Sequence, residues 1–106
     1  MQVPGILGGS KHKALEFSDE LQKLSPVDGY LAKGYIYEYD KEPEIAENFY
    51  KKAIHTGGSL VCYNTLTNFY IAQKQPQKAI SNLKEAYSKY KEDQLLQQIK
   101  TLEKNL

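Results

Sequence analysis

Sliding the chain along itself by 33 residues lays DGYLAKGYIYEYDKEPEIAENFYKKAI (28–54) over VCYNTLTNFYIAQKQPQKAISNLKEAY (61–87). The identical pairs are Tyr30/Tyr63, Tyr37/Tyr70, Lys41/Lys74, Pro43/Pro76, Ala46/Ala79, Lys51/Lys84 and Ala53/Ala86. Self-similarity at a fixed period of this size marks a repeat architecture, and it constrains the fold more than any single residue does. The spacing inside each copy then fixes the element. Tyr30, Gly34 and Tyr37 follow i, i+4, i+7, as do Ala46, Tyr50 and Ala53, and again Ala79, Leu83 and Ala86. That is one face of an α-helix. The run YIYEY (35–39) alternates like a strand when read alone, but its copy 33 residues on makes it part of a helix.

Turn chemistry agrees with the period. Pro43 and Pro76 each stand three residues before a helical alanine. Proline suits the first turn of a helix, where its missing N–H has no partner to lose. YDKEPE and AQKQPQ therefore read as turns between paired helices. In HTGGS (55–59), Gly57 or Gly58 supplies a left-handed cap and Ser59 caps the next helix. Upstream, Ala14, Phe17, Ser18, Leu21 and Leu24 give a helix with Ser10 as N-cap, followed by Pro26. Downstream, Leu95, Ile99, Leu102 and Leu106 form an apolar stripe. Gln97, Gln98, Lys100, Lys104 and Asn105 lie opposite, as on a closing helix that is wet outside. The expected map has about six helices, near 10–24, 27–40, 43–56, 60–73, 76–90 and 92–104.

These residues resemble the tetratricopeptide repeat. One copy carries its pattern as Tyr30, Gly34, Tyr37, Ala46, Tyr50 and Ala53; the next as Tyr63, Leu66, Thr67, Tyr70, Ala79, Leu83 and Ala86. Ala14, Ser18, Leu21 and Pro26 resemble half a repeat. The period of 33 is one short of the family's usual length, Gly58 stands where proline is common, and Lys33 and Thr67 replace favoured small or apolar residues. The resemblance implies an all-α, short right-handed solenoid of antiparallel helix pairs. It divides the chain into an N-terminal loop or helix remnant (1–9), a half-repeat (10–26), two repeats (27–58 and 59–91) and a capping helix (92–106). The opening PGILGGSKHKAL is similar to segments of bacterial members of the family. The chain is accordingly read as a C-terminal piece of a longer bacterial protein, cytoplasmic by default and periplasmic if that protein is exported.

Function is read from what the repeat does not use. Tyr30, Tyr37, Tyr50, Tyr63 and Tyr70 occupy core positions. Tyr35 and Tyr39 do not, and four residues apart they share another helix face. The resemblance implies that this face looks into a concave groove, together with Leu31 and Glu38, and with Asn64, Asn68, Ile71 and Ala72 of the following repeat. Rigid rings with polar tips beside amides suit a protein or peptide segment. Some members of the family clamp a peptide's terminal carboxylate with groove-facing cations. Here the comparable positions hold Leu31, Tyr35, Asn64, Asn68, Leu95 and Ile99, which make a poor carboxylate trap.

Other classes find less support. A balance of 14 basic against 13 acidic residues gives a formal charge of +1, without a basic patch interleaved with aromatics, so nucleic acid is not expected as partner. No apolar run reaches membrane-spanning length. The single Cys62 excludes an internal disulfide and reads as a small buried apolar residue. His12 reads as solvated and His55 as a helix C-terminal residue. Asp40, Glu42 and Glu44 complement a helix N-terminus. GILGGSK lacks the spacing of a phosphate loop. No catalysis, metal or cofactor is expected. The alternative is a purely structural or self-associating segment, including a homo-oligomer.

Overall fold

The computed structural model describes the backbone of residues 4–106 and the side chains from Lys11 onward. Expectations resting on residues 1–3, or on the Ser10 side chain, lie outside the described residues. The elements are α1 (Pro4–Leu24), α2 (Pro26–Tyr39), α3 (Pro43–His55), α4 (Leu60–Ala72), α5 (Pro76–Tyr90) and α6 (Asp93–Lys104). Among the described residues there is no strand, and YIYEY lies within α2. The all-α, helical-repeat-like reading holds, and five of the six helices start within about two residues of their expected positions. The exception is α1. It begins at Pro4 and runs through Gly8, Gly9 and Ser10 instead of starting at Ser10. Proline is at home in the first position of a helix, and two interior glycines weaken a helix by only about 1 kcal/mol each relative to alanine.

Two compact units divide between Gly57 and Gly58. In the first, α1 packs on α2 and α2 on α3. The α1–α2 link is the single residue Ser25, whose N–H donates to the Leu21 carbonyl at 2.7 Å. The centre of this unit is Tyr50, fully buried between Ala46 and Ala53, which are also fully buried. Gly34 makes room for it: a Cβ at this position would come within 2.3 Å of the Tyr50 ring. Tyr30 and Tyr37 are half-buried rather than central. Both stack on Phe49, with centroids 6.3 and 5.6 Å away and planes inclined by 25° and 16°. The expectation that these two rings fill the core is thus corrected: with Phe49, itself half-buried, they form a stacked layer at the side of the unit, and the buried centre is left to Ala46, Tyr50, Ala53 and Ile54.

In the second unit, α4 packs on α5 and α5 on α6. Ala79, Leu83 and Ala86 are fully buried, and Tyr63, Leu66, Tyr70, Leu95 and Ile99 are buried around them. Burying a leucine such as Leu83 contributes about 2 kcal/mol. At the positions of Gly34 and Tyr50 this copy carries Thr67 and Leu83, a larger residue facing a smaller one. At the position of Phe49 it carries Asn82, which is buried and donates to the Tyr63 carbonyl and to Thr67 Oγ1, both at 2.9 Å. Cys62 is buried, as expected.

The turns have one chemistry. After α2, the Glu42 N–H reaches the Tyr37 carbonyl (2.9 Å) and the Lys41 N–H reaches that of Glu38 (3.1 Å). After α4, Gln75 reaches Tyr70 (2.9 Å) and Lys74 reaches Ile71 (3.0 Å). This double bond pattern is a Schellman cap, which requires a left-handed residue at its corner. Lys41 and Lys74 fill that corner with φ of 62° and 58°. Gly57 has φ of 111°, and the Ser59 hydroxyl accepts from the Val61 N–H at 3.3 Å.

Candidate functional site

Each unit carries a cleft that the repeat core does not fill. In the first, α2 places Tyr35 and Tyr39 one turn apart, 56% and 67% exposed. With Ile36 they line a cavity of about 440 Å³, closed by Ala14 and Lys11 of α1 and rimmed by Asp40 and Lys41. The Tyr35 ring stands edge-on to Tyr50, 5.7 Å away at 76°, so the packed core holds its orientation. Lys11 bridges to Asp40 at 2.6 Å and Glu42 at 3.0 Å, and its ammonium lies 5.0 Å from the centre of the Tyr37 ring. Hydrogen bonds to Asp40 and Glu42 raise the Lys11 pKa, and the bond from Lys11 holds Asp40 below the usual carboxylate range. Lys11 therefore spends its charge inside the unit, which leaves an apolar slot with Lys41 as an exposed cation on its rim.

The other two residues expected on this face behave differently. Glu38 accepts from the Tyr50 hydroxyl at 2.7 Å, a bond internal to the unit. Burial first, and that carboxylate second, push the Tyr50 pKa up. Leu31 is half-buried and lies outside the cavity lining.

In the second unit, Asn64, Asn68 and Ile71 do share one cleft, of about 460 Å³. Its other wall is α6, which contributes Gln94, Gln97 and Gln98. Gln97 and Gln98, expected on the wet face of a closing helix, are both exposed and also line this cleft. Leu83 and Leu102 lie at the floor, and Thr67 is held there by Asn82. Ala72 is exposed and lies outside the lining. No charged residue lines this cleft, whereas a quarter of the chain is charged. The chain also contains no arginine, so the forked donor that grips carboxylates is missing.

Elsewhere, Tyr63 donates to Glu85 at 3.1 Å and meets Tyr90 edge-on at 6.1 Å, while the Tyr90 hydroxyl reaches the Gly58 carbonyl at 3.2 Å. Burial, with the Glu85 carboxylate next, pushes the Tyr63 pKa up to about 12. His12 is exposed and lies 3.4 Å from Glu16, an i, i+4 pair on α1. Among the described residues no group of three or more His, Cys, Asp or Glu side chains is placed to hold a metal ion. No described helix is long and apolar enough to cross a membrane.

Sequence reasoning missed Phe49, Asn82, Lys11 and the glutamines of α6. Phe49 and Asn82 occupy equivalent places in the two copies, but one stacks on rings and the other donates hydrogen bonds, so comparing the copies gives no common residue type to notice. No family model, curated protein or solved structure matches the chain.

Proposed function

We propose that the chain is a non-catalytic, tetratricopeptide-like module that binds a protein or peptide segment. In this reading its helix pairs stack as a short right-handed solenoid whose first helices present the binding face. The observation that carries it is the Tyr35–Tyr39 pair. Two large rings stand exposed one turn apart, line one cavity with Ile36, and serve no position of the repeat core. An anchoring side chain inserted there would desolvate both ring faces, and buried aromatic anchors dominate the energy of such interfaces. The test is a peptide selected from a displayed random library on the wild-type chain. The double substitution Tyr35→Ala, Tyr39→Ala should keep its helical circular dichroism and lose at least about tenfold in affinity, or about 1.4 kcal/mol. Equal binding by both proteins removes Tyr35 and Tyr39 from the site. An activity dependent on Cys62, His12 or His55 would contradict the non-catalytic reading.

A second reading, self-association, has its own observation. Phe17 and Leu24 are 70% and 86% exposed on α1, although their spacing placed them on its apolar stripe. Exposed apolar side chains on one helix favour a partner surface. Sedimentation equilibrium distinguishes the readings: a monomer at high concentration excludes self-association.

A further inference from the structure

The cleft of the second unit differs in chemistry from the tyrosine slot of the first, and we infer that it binds the main chain of an uncharged, extended polypeptide segment, with α6 as half of the site. This rests on the peptide-binding reading and specifies what one of its surfaces recognises. Five carboxamides converge there: Asn64 and Asn68 from α4, and Gln94, Gln97 and Gln98 from α6. None of their heads hydrogen-bonds to another described side chain or backbone group. Each carboxamide carries an acceptor and two donors, the combination that pairs with both the C=O and the N–H of a peptide unit.

The dimensions fit. On α4 the lining runs from Asn64 through Asn68 to Ile71, and on α6 from Gln94 through Gln97 and Gln98 to Thr101. Each wall covers eight residues of helix, about 10 Å from first to last at 1.5 Å per residue. An extended chain rises about 3.3 Å per residue, so each wall faces about three residues of ligand. The absence of charge in the lining decides the ligand class. A charged side chain or terminus placed there loses its hydration without gaining a counter-ion. A neutral glycan is the other polar, uncharged occupant, but no aromatic ring lines this cleft to stack against a sugar face. Asn82 has a supporting role: its two bonds tie Thr67 and the Tyr63 carbonyl together beneath the cleft.

The experiment is a titration of the full chain, with ¹⁵N labelling, followed through the side-chain amide and backbone resonances. The probes are pools of N-acetylated, C-amidated peptides, one free of charged side chains and one rich in lysine and glutamate, with maltohexaose as the glycan. The uncharged pool should shift the NH₂ signals of Asn68, Gln97 and Gln98 and bind at least about tenfold tighter than the charged pool. Its affinity should change less than about twofold between low and high salt. Asn68→Leu and Gln97→Leu, at exposed positions, should each weaken it by about fivefold or more while leaving the melting temperature near that of wild type. Preference for the charged pool, a strong salt dependence, or shifts with maltohexaose alone would overturn the inference. Peptides that shift Tyr35 and Tyr39 but none of the five amides would overturn it too, yet leave the proposed function standing. If no peptide binds at either cleft, both fall.

Discussion

Gly34 and Tyr50 show how a single position decides what its neighbours do. With a hydrogen for a side chain, Gly34 admits the Tyr50 ring to the middle of the first unit, and the Tyr50 hydroxyl then takes up Glu38. Gly34→Ala should therefore lower stability by about 1–3 kcal/mol, the usual cost of overpacking, despite alanine's better helix propensity. A denaturant midpoint measured with unchanged m-value checks this, and an alanine variant as stable as wild type would mean that the ring has another place to go. The same pair explains part of what the sequence concealed. Glu38 has the spacing of a surface residue, and helical periodicity registers direction from the helix axis. It does not register that a tyrosine hydroxyl one helix away would claim the carboxylate. Tyr35 and Tyr39, by contrast, were legible as surplus to the repeat, and both are exposed.

At the scale of the element, helix boundaries were the most readable feature, because proline, glycine and serine act locally. Pro43 and Pro76 open α3 and α5 as their spacing requires, and Ser59 opens α4. The repeated Lys41/Lys74 identity was visible, but its reason was not. Lysine does not announce a left-handed corner, and only the Schellman geometry shows that both residues occupy one. A side chain there carries a steric cost that glycine avoids. Lys74→Gly should raise stability by about 0.5–1 kcal/mol, seen as a higher melting temperature. Destabilisation would instead mean that the Lys74 side chain makes a compensating contact. The start of α1 was misread for the complementary reason: two glycines and a serine look like a stop and a cap, yet in this chain the helix passes through them.

For the whole molecule, the period of 33 residues foretold the all-α fold and the four central helices, since it depends on every pair of matched positions at once, and the flanking apolar patterns added the first and last. The clefts were only partly legible. Tyr35 and Tyr39 share a cavity, and so do Asn64, Asn68 and Ile71, but the walls completing each site come from Lys11 and Ala14 of α1 and from the glutamines of α6. Those residues lie outside the two repeated segments, so the comparison of copies could not reach them. Everything proposed for function turns on whether the tyrosine face binds a peptide. Chemical-shift mapping of a library-selected peptide on the labelled chain tests it most directly. The largest perturbations should fall on Tyr35, Ile36 and Tyr39, with or without a second cluster on the amides of α4 and α6. Perturbations confined to Phe17 and Leu24, or to the lysines of α3 and α5, would contradict it.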